Sequence, residues 1–289
     1  MSTASLALLG CSSSSTSAAN KSIGLQLYTF RRFFGEDGNP KASSKEIQST
    51  LKSISQVGFG HLECFDYKDG LFYGIPYKEF NSMVQDLGMR ITSGHYKTGQ
   101  VHPDWKGTLL NDWEKAVQDA SDAGQEYVII AYMDERERQT IDDYKKVCEL
   151  MNKASVVSKQ AGIKLGYHNH EFEFMELEGL IPYDVMLQEL DPSITMEMDL
   201  FWITNAGKDP LQYFNNYSGR FHQWHVKDMN KLDRKKQVDV GTGVVDFKGI
   251  FQKAEQAGMT YFYLEQEEYP VSELESVQKG YDYLQALLK

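Results

Sequence analysis

The amino-acid sequence predicts an α/β protein, a single-domain (β/α)8 TIM barrel, on three observations. Strand-like runs rich in β-branched and aromatic residues alternate with helix-like segments from residue 23 to the end of the chain. Eight such pairs follow one another at intervals of about 25 to 40 residues, and this alternation is typical of a parallel sheet covered by helices. The chain has 289 residues, enough for a closed barrel, which needs about 250 residues.

The predicted strands are short apolar runs bounded by glycine, proline or polar residues. The first of them alternates in polarity and contains the sequence Ile-Gly-Leu-Gln-Leu-Tyr-Thr-Phe. The predicted strands span residues 23–30, 60–65, 89–95, 127–132, 163–168, 194–199, 221–225 and 261–265.

The predicted helices follow the strands, and most of them are followed by a glycine. In the first long helix, Ser43 and Ser44 precede Glu46, which is a serine cap with an acidic first turn. Gly58 ends that helix because glycine readily adopts the left-handed conformation of a helix terminus. The predicted helices span residues 43–57, 76–87, 111–123, 140–161, 182–190, 210–217, 247–257 and 272–288.

An open, doubly wound sheet is the alternative architecture for alternating strands and helices. Such a sheet normally carries a glycine-rich phosphate loop after its first strand. The turn after Phe30 contains neither a GxGxxG nor a Walker pattern. The sequence therefore favours the closed barrel.

Charge and cysteine content exclude several classes of protein. The formal net charge is −11 and the sequence pI is about 5.2, so the chain would repel nucleic acid, and no basic stripe offsets this charge. The three cysteines have no CxxC spacing and no even framework, which argues against a disulfide scaffold or a zinc–thiolate site. No run approaches the ~18 apolar residues of a membrane span.

The first 20 residues are of low complexity, and we expect them to be disordered, protease-labile and dispensable for folding. Leu8-Leu9-Gly10-Cys11, followed by a serine tract, resembles a bacterial lipoprotein cleavage box, although a positively charged start is missing. This pattern predicts a periplasmic or lipid-anchored protein, with a cytoplasmic location as the alternative. The barrel is then expected over residues 21–289.

Polar side chains follow most of the predicted strands, at the end where TIM-barrel active sites lie. They are Glu63, His95, His168, His170, Asp199, His225 and Glu265. Imidazole and carboxylate groups without thiolates suit a divalent ion such as Mn²⁺, Co²⁺ or Zn²⁺. His168 and His170 share one face of a strand about 6.6 Å apart, so that one could bind a metal and the other meet a substrate.

Four short motifs in order give the chain a family resemblance: Met198-Asp199, His225-Val-Lys-Asp228, Val240-Gly-Thr-Gly243 and Leu264-Glu265. From Ile23 to its end the chain resembles the sugar phosphate isomerase/epimerase family of xylose isomerase-like TIM barrels. Relatives in this group include tagatose and psicose epimerases, inosose dehydratases and, more remotely, type IV AP endonucleases.

The resemblance implies a metal site. In the family a glutamate on strand five and an aspartate, a histidine and a glutamate on strands six to eight hold the metal. The last three correspond to Asp199, His225 and Glu265. At strand five this chain has His168 where many relatives have glutamate. Either His168 replaces that ligand, or Glu171 or Glu173 reaches back to the ion.

The resulting prediction is a metal-dependent sugar or keto-sugar isomerase or epimerase that abstracts a proton next to a metal-bound carbonyl. The candidate acid–base residues are His95, Glu265, His170, Lys227 and Glu173, and the candidate substrate-binding residues are Glu63, Trp202 and Tyr28. The expected partner is a small carbohydrate, and whether the chain forms a homo-oligomer is left open.

Two other functions are kept as alternatives. The first is a metal-dependent lyase or dehydratase on a keto-sugar or keto-glycoside, because the same proton abstraction can be followed by loss of a β-leaving group. The second is a non-catalytic sugar-binding barrel, in which Tyr28, Phe65, Trp202 and Trp224 would stack on sugar rings. Phosphodiester hydrolysis is disfavoured, because Trp202 stands where a further metal ligand would be required and the net charge opposes DNA binding.

Overall fold

The structure is a computed structural model that describes residues 22–35 and 41–289. The predictions of a disordered segment and of a lipoprotein-like cleavage box fall on residues 1–20, outside the described residues. None of the described helices is both long enough and apolar enough to cross a membrane.

In the described part of the chain, eight parallel strands close into a barrel and follow one another in sequence order around it. The first strand pairs with the second and with the eighth, and Leu25 lies opposite both Leu62 and Leu264. The predicted (β/α)8 fold is therefore confirmed. In chain order the strands are Gly24–Gln26, His61–Cys64, Arg90–Tyr96, Tyr127–Ile130, Lys164–His168, Thr195–Asp199, Gln223–Val226 and Tyr261–Leu264.

Helices cover the outside of the barrel, and their starts agree with the capping residues of the sequence. Ser43 accepts a hydrogen bond from the backbone of Glu46, whose carboxylate accepts one from the Ser43 backbone at 2.8 Å. The described α-helices are Arg31–Phe34, Ser44–Val57, Tyr77–Gln85, Trp113–Asp122, Ile141–Gln160, Pro182–Glu189, Leu200–Asn205, Pro210–Asn216, Phe247–Phe251, Ala254–Ala257 and Glu273–Leu287.

Two of the differences between the structure and the sequence prediction are explained by a side chain. The first strand ends at Gln26, because the Gln26 side chain accepts a hydrogen bond from the Tyr28 backbone at 2.9 Å and starts a 3-10 turn over Leu27–Phe30. A short helix, Leu200–Asn205, follows the sixth strand directly. Asp199 caps it by accepting from the backbone N–H groups of the second and third residues after it, Phe201 and Trp202.

Apolar side chains fill the layer between strands and helices, whereas polar side chains fill much of the barrel interior. Trp224 is fully buried in the outer layer and stacks on Phe214, with ring centroids 5.1 Å apart. The prediction that Trp224 offers a stacking surface to a sugar is therefore wrong: the residue faces out of the barrel. The fully buried polar residues of the strands include Gln26, Glu63, Thr92, Glu197 and Gln223.

The loop after the seventh strand is organised by Asp228. Its carboxylate accepts hydrogen bonds from four backbone N–H groups, those of residues 229, 241, 243 and 245, at 2.8 to 3.1 Å. A Cβ atom at position 243 would lie 2.3 Å from the Asp228 carboxylate, so glycine is required there. Asp228 and the glycines at positions 241 and 243 thus close one loop together. This closure fixes the backbone directly after Lys227.

Candidate active site

Four side chains with metal-binding atoms meet where strands five to eight end. His168 and Asp199 are the last residues of strands five and six, His225 lies in strand seven, and Glu265 follows strand eight. One nitrogen or oxygen atom of each lies within 4.8 Å of the others. His168 Nε2 is 3.4 Å from Asp199 Oδ2, and His225 Nδ1 is 2.7 Å from Glu265 Oε2. We call these four residues the outer group.

The atoms of the outer group fit a divalent metal ion. His168 Nε2, Asp199 Oδ2, His225 Nδ1 and Glu265 Oε2 are buried, and within the described residues none has a hydrogen-bond partner. Buried polar atoms normally pair, and these nitrogen and oxygen atoms are ligands for Zn²⁺, Co²⁺ or Mn²⁺. The carbonyl of Ala131 lies 3.3 Å from His168 Nδ1, where it accepts that proton and leaves Nε2 for an ion.

Lys227 is the cationic neighbour of the outer group and is almost fully buried. Its Nζ atom lies 3.0 Å from Asp199 Oδ2 and 2.9 Å from Glu265 Oε2, within ion-pair distance but without hydrogen-bond alignment. It also bonds to Glu267 at 2.8 Å. Burial alone would lower the pKa of Lys227, but the carboxylates of Asp199 and Glu265 hold it well above its usual value. Lys227 is therefore charged.

A second cluster, which we call the inner group, lies on the other side of the His225 ring. It consists of Glu63, His95, Glu197 and His225. Glu63 Oε2 accepts from His225 Nε2 at 2.6 Å and from Gln26 Nε2 at 2.7 Å. Glu197 Oε2 is 3.0 Å from His95 Nε2. Unlike the outer group, the inner group is joined by hydrogen bonds between its own members.

Glu197 is a residue of the inner group that was not predicted from the sequence. It is fully buried in strand six and lies two residues before Asp199. Strand residues two apart point to the same face, so the prediction of Asp199 as a ligand already implied that Glu197 points into the barrel. A charged residue on that face could have been recognised from this spacing.

His95 and His170 both line the cavity above the outer group but have opposite electrostatic environments. Burial alone would lower the pKa of His95, yet Glu63 and Glu197 raise it to about 9. Burial, with a further contribution from His168, lowers the pKa of His170 well below its usual value. At neutral pH His95 is therefore an imidazolium and His170 a neutral imidazole.

The cavity at this end of the barrel has a volume of about 540 Å³, within the range of small-molecule sites. Tyr28, Phe65 and Trp202 supply aromatic surface to it, as the sequence analysis expected for a sugar site. His168, His170, Lys227 and Glu265 are also among its lining residues, and charged side chains from loops complete the wall, namely Asp66, Lys97, Asp134, Arg136 and Glu137.

Two of the residues that we expected to bind substrate or move protons do not line this cavity. Glu63, which we expected to bind substrate, is fully buried in the inner group. Glu173, which we expected to move protons, is also fully buried. It accepts hydrogen bonds from the Tyr167 hydroxyl at 2.7 Å and from the His170 backbone at 2.8 Å. Glu173 thus holds the loop that carries His170.

The structure brings His168, and neither of the neighbouring glutamates, into the group around His225. Glu171 is exposed, and the Glu173 carboxylate is taken up by Tyr167 and the loop backbone. Of the three strand-five residues considered from the sequence, His168 is the one whose side chain lies with Asp199 and Glu265.

The comparison with protein families identifies one family over most of the chain. A family model described as "Xylose isomerase-like TIM barrel" matches residues 51–287. Among curated proteins, an inosose dehydratase of Geobacillus thermodenitrificans is 24% identical over 149 residues, which are 45% of this chain and 49% of that protein. The matched region therefore spans about half the length of that curated relative.

Two solved structures from Parabacteroides distasonis, both named as sugar phosphate isomerase/epimerase, are similar over nearly the full chain. One is 27% identical with a TM-score of 0.76, covering 93% of this chain and 99% of that one. The other is 28% identical with a TM-score of 0.75, covering 95% and 98%.

Proposed function

The chain belongs to the xylose isomerase-like TIM barrel family, and from this premise we propose that it is a metal-dependent enzyme acting on a sugar or keto-sugar. The proposed chemical step is removal of a proton from the carbon next to a carbonyl group. The observation that carries the proposal is the outer group, whose four buried atoms have no hydrogen-bond partner among the described residues and converge below a cavity with aromatic walls.

The proposed ligands are His168, Asp199, His225 and Glu265. A divalent ion held there would draw electrons from a substrate carbonyl and so make the adjacent C–H bond more acidic. Trp202 and Tyr28 line the cavity and would pack against the apolar face of a sugar ring. Lys227 also lines the cavity, where its charge would favour an electron-rich substrate oxygen.

His170 is the proposed base and His95 the proposed acid. Neutral His170 lines the cavity, and its ring lies 4.9 Å from that of His168. Cationic His95 lies 5.4 Å from the same ring. A pair of groups whose environments push their pKa values apart is the arrangement expected of an acid and a base acting together.

Elimination is the outcome that the side chains support best. His170 would take the proton, the C–H electron pair would form a carbon–carbon double bond, and His95 would protonate the departing hydroxyl or alkoxyl oxygen. Glu265 is a poor base here, because it is a proposed metal ligand and its Oε2 atom lies 2.9 Å from the Lys227 ammonium group. The curated relatives in the comparison are inosose dehydratases, which agrees with a lyase.

Isomerisation or epimerisation is the second candidate, favoured by the names of the two solved structures that are 27 and 28% identical to this chain. In that outcome the proton returns to carbon. The family resemblance implies that epimerases of this group use a strand-five carboxylate for one of the two proton transfers, and this chain has His168 at that position. For this reason we place the second candidate after the lyase.

Incubation in D₂O tests the common step and separates the two outcomes. Protein loaded with Zn²⁺, Co²⁺ or Mn²⁺ is mixed with a panel of keto-sugars and inososes and followed by NMR. We expect loss of the proton next to the carbonyl and a new unsaturated product for elimination, and deuterium next to the carbonyl with a new stereoisomer for epimerisation. The metal-free protein is the control. Failure to bind any of the three ions, or equal turnover without metal, would overturn the proposal, and metal binding with neither a new product nor deuterium uptake would favour a sugar-binding barrel.

A further inference from the structure

Two buried carboxylates in the barrel have no part in the proposed chemistry described so far. Glu63 and Glu197 are both 0% exposed and neither lines the cavity, so neither touches a substrate. A buried carboxylate is costly unless charged or hydrogen-bonding groups satisfy it. Their shared partners are two histidines, His225 and His95.

The hydrogen bond from His225 to Glu63 decides which nitrogen of His225 carries the proton and which has a lone pair for the outer group. A carboxylate oxygen only accepts hydrogen bonds, so the 2.6 Å contact between Glu63 Oε2 and His225 Nε2 requires the proton on Nε2. In a neutral imidazole the lone pair is then on Nδ1, which is the atom that faces Asp199 and Glu265. The carboxylate therefore selects the tautomer that a metal ion needs.

The same pair of carboxylates also holds the second histidine. His95 Nε2 lies 3.0 Å from Glu197 Oε2 and 3.2 Å from Glu63 Oε2. Glu63 thus contacts both rings through one oxygen atom, and Glu197 lies 3.4 Å from His225 Nε2 on its other oxygen. The histidine that would bind the metal and the histidine that would donate the proton share one buried anchor.

The inner group is less suited to a metal ion than the outer group, because several of its nitrogen and oxygen atoms already have hydrogen-bond partners. Nε2 of both histidines and Oε2 of both carboxylates already lie at hydrogen-bond distances from one another, and Oε1 of each carboxylate has no hydrogen-bond partner among the described residues. In the outer group the four facing atoms have no hydrogen-bond partner within the described residues, although Asp199 Oδ2 and Glu265 Oε2 form ion pairs with Lys227. A second ion in the inner group would have to displace hydrogen bonds, whereas an ion in the outer group would displace none of the hydrogen bonds described.

We propose that Glu63 and Glu197 are positioning residues that hold His225 with Nδ1 turned to the metal and hold His95 at the cavity. This inference rests on the proposed metal-dependent function, because it assigns the inner group to the same site. Glu63 acts mainly on the metal ligand, and Glu197 acts mainly on the proton donor.

The experiment uses the full chain with Zn²⁺ as the probe and compares wild type, E63Q and E197Q. Zinc affinity is measured by titration against a competing chelator, and side-chain ¹⁵N NMR identifies which nitrogen of each histidine carries a proton. The control is T92V, which removes a buried hydrogen bond to Tyr263 in the same interior without touching either histidine.

In wild type we expect one zinc per chain, bound through His225 Nδ1, with a hydrogen-bonded proton on Nε2. We expect E63Q to bind zinc about 10- to 100-fold more weakly, the size typical of losing a partner of a metal-binding histidine. E197Q should change the His95 resonances and affect zinc less, and T92V should leave zinc affinity and both histidines unchanged.

Unchanged zinc affinity and histidine resonances in both glutamine variants would overturn the positioning role while leaving the metal site intact. Zinc bound through His225 Nε2, or a second zinc that removes the Nε2 proton, would overturn it as well. The measurement on wild-type protein alone shows which nitrogen of His225 binds zinc, so the positioning role can be tested even if E63Q does not fold. A wild type that binds no zinc, cobalt or manganese would overturn the proposed function together with this inference.

Discussion

Lys227 and Asp199 form an ion pair in which Nζ lies 3.0 Å from Oδ2, the oxygen atom that also faces His168. Lys227 makes a similar contact with Oε2 of Glu265, a second atom of the outer group. The ammonium group and a metal ion would therefore be attracted to the same two oxygens and would repel each other. This relationship has consequences for both stability and metal affinity.

Replacing Lys227 by methionine should destabilise the metal-free protein and strengthen metal binding. Removing one partner of a buried ion pair costs on the order of 3–5 kcal/mol, because the remaining charges stay buried. Removing the cation next to the site should also tighten Zn²⁺ binding by at least about tenfold. Thermal unfolding in a chelator and a zinc titration measure the two effects.

Lys279→Met is the matched control, because Lys279 pairs with Asp239 and Glu275 but is half exposed and is not a lining residue of the cavity. Its loss should change stability by about 1 kcal/mol or less and leave zinc affinity unchanged. Weaker zinc binding by K227M would show that Lys227 supports the ion rather than competes with it.

Asp199 has two separable roles, and two substitutions distinguish them. Oδ2 faces the outer group, whereas Oδ1 caps the helix Leu200–Asn205. We expect both D199A and D199N to lose the metal, because each removes the charged ligand. D199A should in addition lose about 1 kcal/mol of stability from the helix cap, which D199N keeps. Equal stability of the two metal-free variants would contradict the capping role.

The identity of the strand-five ligand is tested at His168. We expect H168A to lower zinc affinity by 100-fold or more, since even the loss of a residue that only hydrogen-bonds to a metal ligand lowers metal affinity 10- to 100-fold. H168E should keep the site and shift its preference toward Mn²⁺, because a carboxylate is the harder ligand. The matched control is E171A, which should bind zinc like wild type. A loss of zinc in E171A with none in H168A would reverse this assignment.

Ionisation of Glu173 should lower the free energy of unfolding as the pH rises from about 4.5 to about 7. Burial raises the pKa of Glu173 from 4.5 to about 7 in the folded protein, so across this range the folded state holds a proton that the unfolded chain has released. The contribution of Glu173 to the free energy of unfolding is then highest below about pH 4.5 and falls by roughly 3 kcal/mol between about pH 4.5 and 7.

Glu173→Gln should remove this part of the pH dependence, because glutamine does not ionise. Urea unfolding of metal-free wild type and E173Q at several pH values between 4 and 8 gives the difference directly. The exposed neighbour variant E171Q should follow the wild-type curve. Parallel curves for wild type and E173Q would mean that Glu173 ionises at its usual pH in the folded protein.

Local patterns in the sequence were enough for the barrel and for the candidate metal ligands. Alternation of apolar runs with capped helices specified eight strand–helix units, because capping and hydrophobic periodicity act over a few residues. Asp199, His225 and Glu265 each end an apolar run, so their meeting at one end of the barrel follows from parallel strand order. His168 lies with them in the structure.

The contacts inside the barrel depended on tertiary structure. Glu63 comes from strand two and Glu197 from strand six, and only barrel closure brings both to His225. Whether a strand residue points inward or outward also depends on the register of pairing, which a one-residue shift reverses. For that reason Trp224 belongs to the outer layer and Glu63 to the interior, although the sequence suggested a substrate contact for both.

By itself, the sequence determined the order of the elements, the fold and the residue types at the strand ends, because these follow from short-range periodicity and capping. The tertiary structure alone decided how those residues are paired: Glu63 and Glu197 behind His225 and His95, and Lys227 against Asp199 and Glu265. The physical reason is that hydrogen bonds and ion pairs need partners within about 3 Å. In a closed barrel those partners come from strands far apart in the chain.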